Sequence, residues 1–155
     1  MKYLFCILVL SLGACTGSRQ ARQTAAVLPA DFSLDLTRTA CRGACPAFTA
    51  HIDAQGQVFY EGGDHAPLVG RYTRQLTTDE QERLLALLDT HDFWGFAPRF
   101  TEPEVFDLPK RILACQSQGR VHRVEAMIHV PPAFDTLFTA VEAVIGREGF
   151  EAVEK

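Results

Sequence analysis

Arg38-Thr39-Ala40-Cys41-Arg42-Gly43-Ala44-Cys45-Pro46-Ala47-Phe48 sets two cysteines four positions apart between two alternating segments. Before it, Ser33-Leu34-Asp35-Leu36-Thr37-Arg38 places Leu34 and Leu36 on one face, the period of a strand with one buried side. After it, Phe48-Thr49-Ala50-His51-Ile52-Asp53 alternates again and buries Phe48, Ala50 and Ile52. The cysteine stretch is therefore read as a loop between two strands, and a strand, not a helix, follows Pro46.

Working outward, Ala54-Gln55-Gly56-Gln57 is a turn in which Gly56 can take positive φ, and Val58 to Glu61 completes a hairpin. Gly62-Gly63-Asp64 interrupts, and Val69 to Leu76 reads as a further strand. Thr77-Thr78-Asp79-Glu80 is a capping box with Thr77 as N-cap and Glu80 three positions inside the helix. Leu84, Leu85, Leu87 and Leu88 form its apolar stripe, with Gln81 and the charged residues mostly elsewhere, and the helix ends near His91. The aromatic exit from Phe93 through Phe100 is read as packing that fixes the helix end onto the sheet, since aromatic rings bury large areas. The alternative for these rings is an exposed surface for a glycan or a partner.

A second hairpin runs from Arg111 to Gln118 and from Arg120 to Ile128 around Gly119, with Val124, Ala126 and Ile128 on one face. Phe134, Leu137, Phe138, Val141, Val144 and Ile145 then give the clearest amphipathic helix of the chain, ended by Gly146 or Gly149, with frayed residues beyond. Hairpins imply antiparallel pairing, and two helices with one apolar face each imply packing on one side of a sheet. The expected fold is α+β: an antiparallel sheet of about six strands with two helices packed on one face, all in a single domain over residues 32–150.

The N-terminal residues 1–14 read as a signal peptide. Lys2 supplies the positive start and Leu4 to Leu12 an apolar run too short to span a bilayer. Leu12-Gly13-Ala14-Cys15 resembles a bacterial lipobox, which implies cleavage before Cys15 and lipidation of that residue. More than one acyl chain anchors stably where one is marginal. Residues 15–31 then read as a lipidated cysteine followed by a flexible tether. Thr16, where an aspartate is absent, points to the outer membrane, facing the periplasm, in a Gram-negative cell. Removing Lys2 leaves 14 basic against 19 acidic residues, a net −5, and this mild acidity argues against a nucleic-acid partner.

Of five cysteines, Cys6 leaves with the signal and Cys15 carries lipid. In an oxidising compartment Cys41–Cys45 is the favoured pair, because a turn brings their Cβ atoms within bridging distance; Cys41–Cys115 and Cys45–Cys115 are the alternatives. Cys115, in the apolar run Ile112-Leu113-Ala114-Cys115, reads as a small buried hydrophobe. No Gly-x-Ser-x-Gly and no His-Glu-x-x-His is present, and Asp107 has no identifiable acid–base partner. Glu102, Glu104 and Asp107 match no calcium loop. No catalytic residue and no cofactor are assigned.

Leu36-Thr37-Arg38-Thr39-x-Cys41-x-Gly43-x-Cys45-Pro46-x-Phe48, the Gly56 hairpin with Val58-x-Tyr60-Glu61-Gly62, the helix leading into Phe93-Trp94, and Asp107-x-Pro109 together resemble the bacterial domain-of-unknown-function family 6438. The resemblance spans residues 32–146. It implies a small secreted or lipid-anchored domain and no established activity. This chain has Phe48 where a tyrosine is common. Arg38, Gly43, Pro46 and Asp107 are expected to hold the loop, with Arg38 bracing loop carbonyls or Asp107.

Cys-x3-Cys-Pro with a later histidine also resembles Sco-type copper chaperones, with Cys41, Cys45 and His129 as the ligands. Thiolate and imidazole suit copper. In those proteins, however, the loop leads into a helix, whose N-terminus would lower the thiol pKa, and here a strand follows. The leading expectation is an envelope lipoprotein with a non-catalytic binding or structural domain. It is anchored to the membrane through its lipid and meets an unidentified envelope protein or ligand. Copper binding or thiol redox chemistry is the alternative.

Overall fold

The computed structural model describes residues 27–102 and 108–153. The signal peptide, Cys15 and most of the tether lie outside the described residues, as do Glu104 and Asp107.

The sheet has eight strands in the order β5-β7-β6-β1-β2-β3-β4-β8. They are β1 (Ser33–Arg38), β2 (Phe48–Ile52), β3 (Gln57–Gly62), β4 (Gly70–Gln75), β5 (Arg99–Phe100), β6 (Arg111–Ser117), β7 (Arg120–Ala126) and β8 (Glu151–Ala152). All pairings are antiparallel except β5 with β7. Two helices, α1 (Thr78–Thr90) and α2 (Pro132–Ile145), complete an α+β fold. Among the described residues no helix is long and apolar enough to cross a membrane.

The six longer strands follow from alternation. β1 pairs Leu36 with Ala50 on one side and with Leu113 on the other, so inward side chains line up across the sheet. Leu34, Leu36, Ala50, Ile52, Val58, Leu113 and Val124 are buried there, while Phe59 and Val121 on the opposite side are exposed. The expectation of about six strands is corrected to eight. β5 and β8 have two residues each, too few for any period to register. Residues 150–152 do not fray: Phe150 packs against Tyr60 with ring centroids 5.5 Å apart, and β8 pairs with β4.

Residues 28–31, expected in the tether, pack with the folded domain. Leu28 is buried in the core, and both carboxylate oxygens of Asp31 accept from the turn amides of Gln118 and Gly119, at 2.9 and 2.7 Å. These amides hold the Asp31 carboxyl below the usual range. They belong to a two-residue turn in which Gln118 and Gly119 both have positive φ, the backbone twist that a tight hairpin needs.

α1 starts with the expected capping box: Thr77 Oγ1 accepts from the Glu80 amide, and Glu80 Oε2 accepts from the Thr77 amide at 2.8 Å. Burial pushes the Glu80 carboxyl up, but hydrogen bonds from Arg74 and Thr77 outweigh it and leave the pKa lowered. The buried stripe of α1 is Gln81, Leu84 and Leu88, while Leu85 and Leu87 are only partly buried. Gln81, expected away from the apolar stripe, is instead inside. Its amide is satisfied there, donating to Leu76 O at 3.1 Å and accepting from the Val27 amide at 3.3 Å.

All six apolar residues of the α2 pattern are buried, and Gly146, with φ of 70°, ends the helix. Phe93 is fully buried, and Trp94, Phe96 and Phe100 pack against the core.

Cys115 is free and buried. Burial pushes its thiol up to about 12 from 9.0. Iodoacetamide at pH 8 should leave Cys115 unmodified in the native protein and label it after unfolding without reductant, since the thiolate is the nucleophile. Rapid native labelling would contradict this packing. The folded pKa lies above the unfolded one, so the associated stability is present below pH 9 and is lost as pH rises towards 12.

Candidate functional site

The loop after β1 is tied at both ends. The Thr39 amide donates to Lys110 O at 3.0 Å and the Lys110 amide donates to Thr39 Oγ1 at 2.8 Å. At the other end the Gly63 amide donates to Ala47 O at 2.9 Å. Cys41 and Cys45 form a disulfide with Cα atoms 5.7 Å apart. The Gly43 amide donates to Cys41 Sγ at 3.2 Å, and a Cβ at Gly43 would meet only that sulfur, at 3.9 Å. Nothing in the loop geometry demands glycine there. Replacing both Cys41 and Cys45 with serine should lower stability by about 2 kcal/mol, the chain-entropy contribution of so short a loop. Denaturant unfolding with and without reductant measures it; identical midpoints would mean the bridge does not stabilise the fold.

Arg38, at the end of β1, departs from its expected role. Its Nε and Nη2 donate to the two carboxylate oxygens of Glu142 on α2, the second at 2.8 Å. Its guanidinium also lies over the Phe138 ring, 5.1 Å from the centroid. The hydrogen bond to Glu142 raises the Arg38 pKa against the opposing effect of burial. Arg38 therefore ties the loop strand to the helix and does not brace loop carbonyls; Asp107, its other expected partner, lies outside the described residues. A forked Arg–carboxylate pair is the strong form of this interaction.

This pair forms one wall of a cleft of about 520 Å³ between the loop, β3 and the end of α2. Pro46 and Phe48 bring the cysteine stretch to it, Tyr60 comes from β3, and Pro67 and Leu68 form a lip. Ile145 and Arg147 border it from the helix side. The volume is in the range of small-molecule sites. Phe48 stacks on Tyr60 with centroids 5.2 Å apart.

The Tyr60 hydroxyl is buried without a hydrogen-bond partner. The Leu68 amide faces this oxygen outside hydrogen-bond geometry and could only donate to it, so the hydroxyl proton has no acceptor among the described residues. Burial raises the Tyr60 pKa and keeps it neutral.

Of the residues expected at the site, Arg38 and Pro46 reach this cleft, and Cys41, Cys45 and Gly43 shape the loop beside it. His129 is exposed and its Nε2 pairs with Glu102 at 2.8 Å. Among the described residues no three His, Cys, Asp or Glu side chains gather to hold a metal, so the Cys41, Cys45 and His129 set is not brought together. His122 Nε2 donates to Phe96 O at 3.0 Å. His51 pairs with Asp35 at 2.8 Å on the exposed sheet face.

Sequence reasoning missed Glu142 and Arg147. Glu142 is the sole charged residue between Thr136 and Ile145, an anomaly that could have marked it. Tyr60 and Gly62 were noted only as family features. Gly62 has a steric reason: a Cβ there would lie 1.8 Å from Leu68 O, so the lip can cross β3 only over a glycine.

No curated protein matches the chain. The family model described as a domain of unknown function, DUF6438, matches residues 32–145. That span runs from the start of the sheet to the last turn of α2 and takes in the cysteine loop and nearly all of the cleft. The chain belongs to this family of domains of unknown function.

Proposed function

We propose that the chain is a lipid-anchored domain of the bacterial envelope that binds a small molecule in the cleft beside the cysteine loop and performs no chemistry on it. In a Gram-negative cell it stands on the outer membrane and faces the periplasm. The observation that carries the binding reading is the buried Tyr60 hydroxyl without an acceptor, set in a cleft of small-molecule size. Buried polar groups are nearly always paired, and an unpaired one costs stability that a structural role does not explain. The anchoring reading rests on the order of charge, apolar run and Leu12-Gly13-Ala14-Cys15 at the front of the chain.

The test uses the protein isolated from the envelope of cells fed labelled palmitate. Label that disappears in Cys15→Ser supports the anchor, and unlabelled wild type removes it. Native mass spectrometry of the same preparation should show a bound small molecule that Ala143→Trp, which fills the cleft, excludes. Unliganded protein in every growth condition would remove the binding reading.

A further inference from the structure

The groups around the cleft specify the charge of what it takes. Arg38 and Glu142 neutralise each other through both Nε and Nη2. Arg147 is exposed and has no carboxylate partner among the described residues. It lines the same cleft as Tyr60, and its charge and that of Glu142 act on the hydroxyl in opposite directions. Two of the carbonyls at the end of α2, which would otherwise favour a cation, are engaged: Glu142 O accepts from the Gly146 amide at 2.9 Å and Val144 O from Arg74 Nη2 at 2.8 Å. The cleft thus offers one free positive charge and one neutral donor lacking an acceptor. The rest of the wall is largely apolar: Pro46, Phe48, Pro67, Leu68 and Ile145.

We infer that the cleft binds a small monocarboxylic acid with an apolar body, its carboxylate held by Arg147 and the Tyr60 hydroxyl and its body against Pro46, Phe48 and Leu68. This rests on the binding reading above and adds the ligand class. A cation would meet Arg147 and find only Glu142, whose oxygens are already taken. A dianion would bring a second charge against Glu142, with no second free cation lining the cleft among the described residues. A single carboxylate accepts from both free donors, and charge-assisted hydrogen bonds are the strong ones. The Tyr60 oxygen is covered, so Arg147 receives the acid first and a small shift of Leu68 completes the contact.

A matched series tests this: 3-phenylpropionate, 3-phenylpropanol and 3-phenylpropylamine, titrated calorimetrically into the full lipidated chain in non-ionic micelles, with empty micelles subtracted. The acid should bind about tenfold or more tighter than the alcohol, the lower end for a hydrogen bond to a charged group, and the amine weakest. Arg147→Met, at an exposed position, should erase the preference for acid over alcohol. Tyr60→Phe should weaken the acid alone, without lowering the melting temperature of the unliganded protein. Alcohol or amine binding as tightly as the acid, with Ala143→Trp abolishing it, overturns the carboxylate and leaves the cleft as a binding site. If none of the three binds, the ligand class falls, and the native mass spectrum of the isolated protein decides the binding reading separately.

Discussion

Gly62→Ala should lower the stability of the domain by about 3 kcal/mol or more, among the larger effects of a single substitution. The added methyl would lie 1.8 Å from the Leu68 carbonyl oxygen and 2.9 Å from a ring carbon of Tyr60. Neither is the free end of a flexible side chain. The carbonyl belongs to the backbone leading into β4, and Tyr60 is wedged between Phe48 and Phe150. Relief requires the lip to lift from β3, which also destroys the cleft wall. Gly63→Ala is the internal control. A Cβ there meets Ala47 O at 3.4 Å, an ordinary contact, so it should be nearly neutral. In a domain of this size the Gly62 variant should melt about 10 °C or more below wild type. Equal melting of the two alanine variants would mean that the crossing of the lip over β3 is wrong.

Glu142→Ala should cost about 2–3 kcal/mol, somewhat less than a fully buried pair because the two side chains retain 27% and 20% of their exposure. The loss is not the ion pair alone. Arg38 would stay over Phe138 with its charge uncompensated, next to Arg111, whose pKa is already lowered by burial and by the charge of Arg38. Removing both charges avoids that penalty. The double variant Arg38→Met with Glu142→Leu should therefore be more stable than Glu142→Ala. Denaturant midpoints across the set measure this. A Glu142→Ala loss below about 0.5 kcal/mol, the level of exposed pairs, would reduce the pair to a surface contact.

The strands around the cysteine loop were readable because Leu34, Leu36, Ala50 and Ile52 alternate, and one-sided burial forces that alternation. The capping box of α1 and the stripe of α2 were readable because their signals repeat within one or two turns. Gln81 was misplaced because a polar side chain at a buried helical position is indistinguishable from a surface one until its partners, Leu76 O and the Val27 amide, are known. The disulfide was expected from local spacing. The candidate site was half legible: Arg38 and Pro46 were singled out, but the partner of Arg38 was sought in the loop and lies 104 positions away on α2.

What the sequence by itself determined is local. It set which segments are strands or helices, which face of each is apolar, where glycine permits a turn, and which cysteines a short loop can join. These depend on periodicity and on residues a few positions apart. The tertiary structure alone decided the sheet order, the two-residue strands at its edges, the pairing of Arg38 with Glu142, and the enclosure of the Tyr60 hydroxyl beneath Leu68. Each joins segments distant in the chain. Their proximity follows from packing both helices and the sheet into one core, a global optimum that no single stretch encodes.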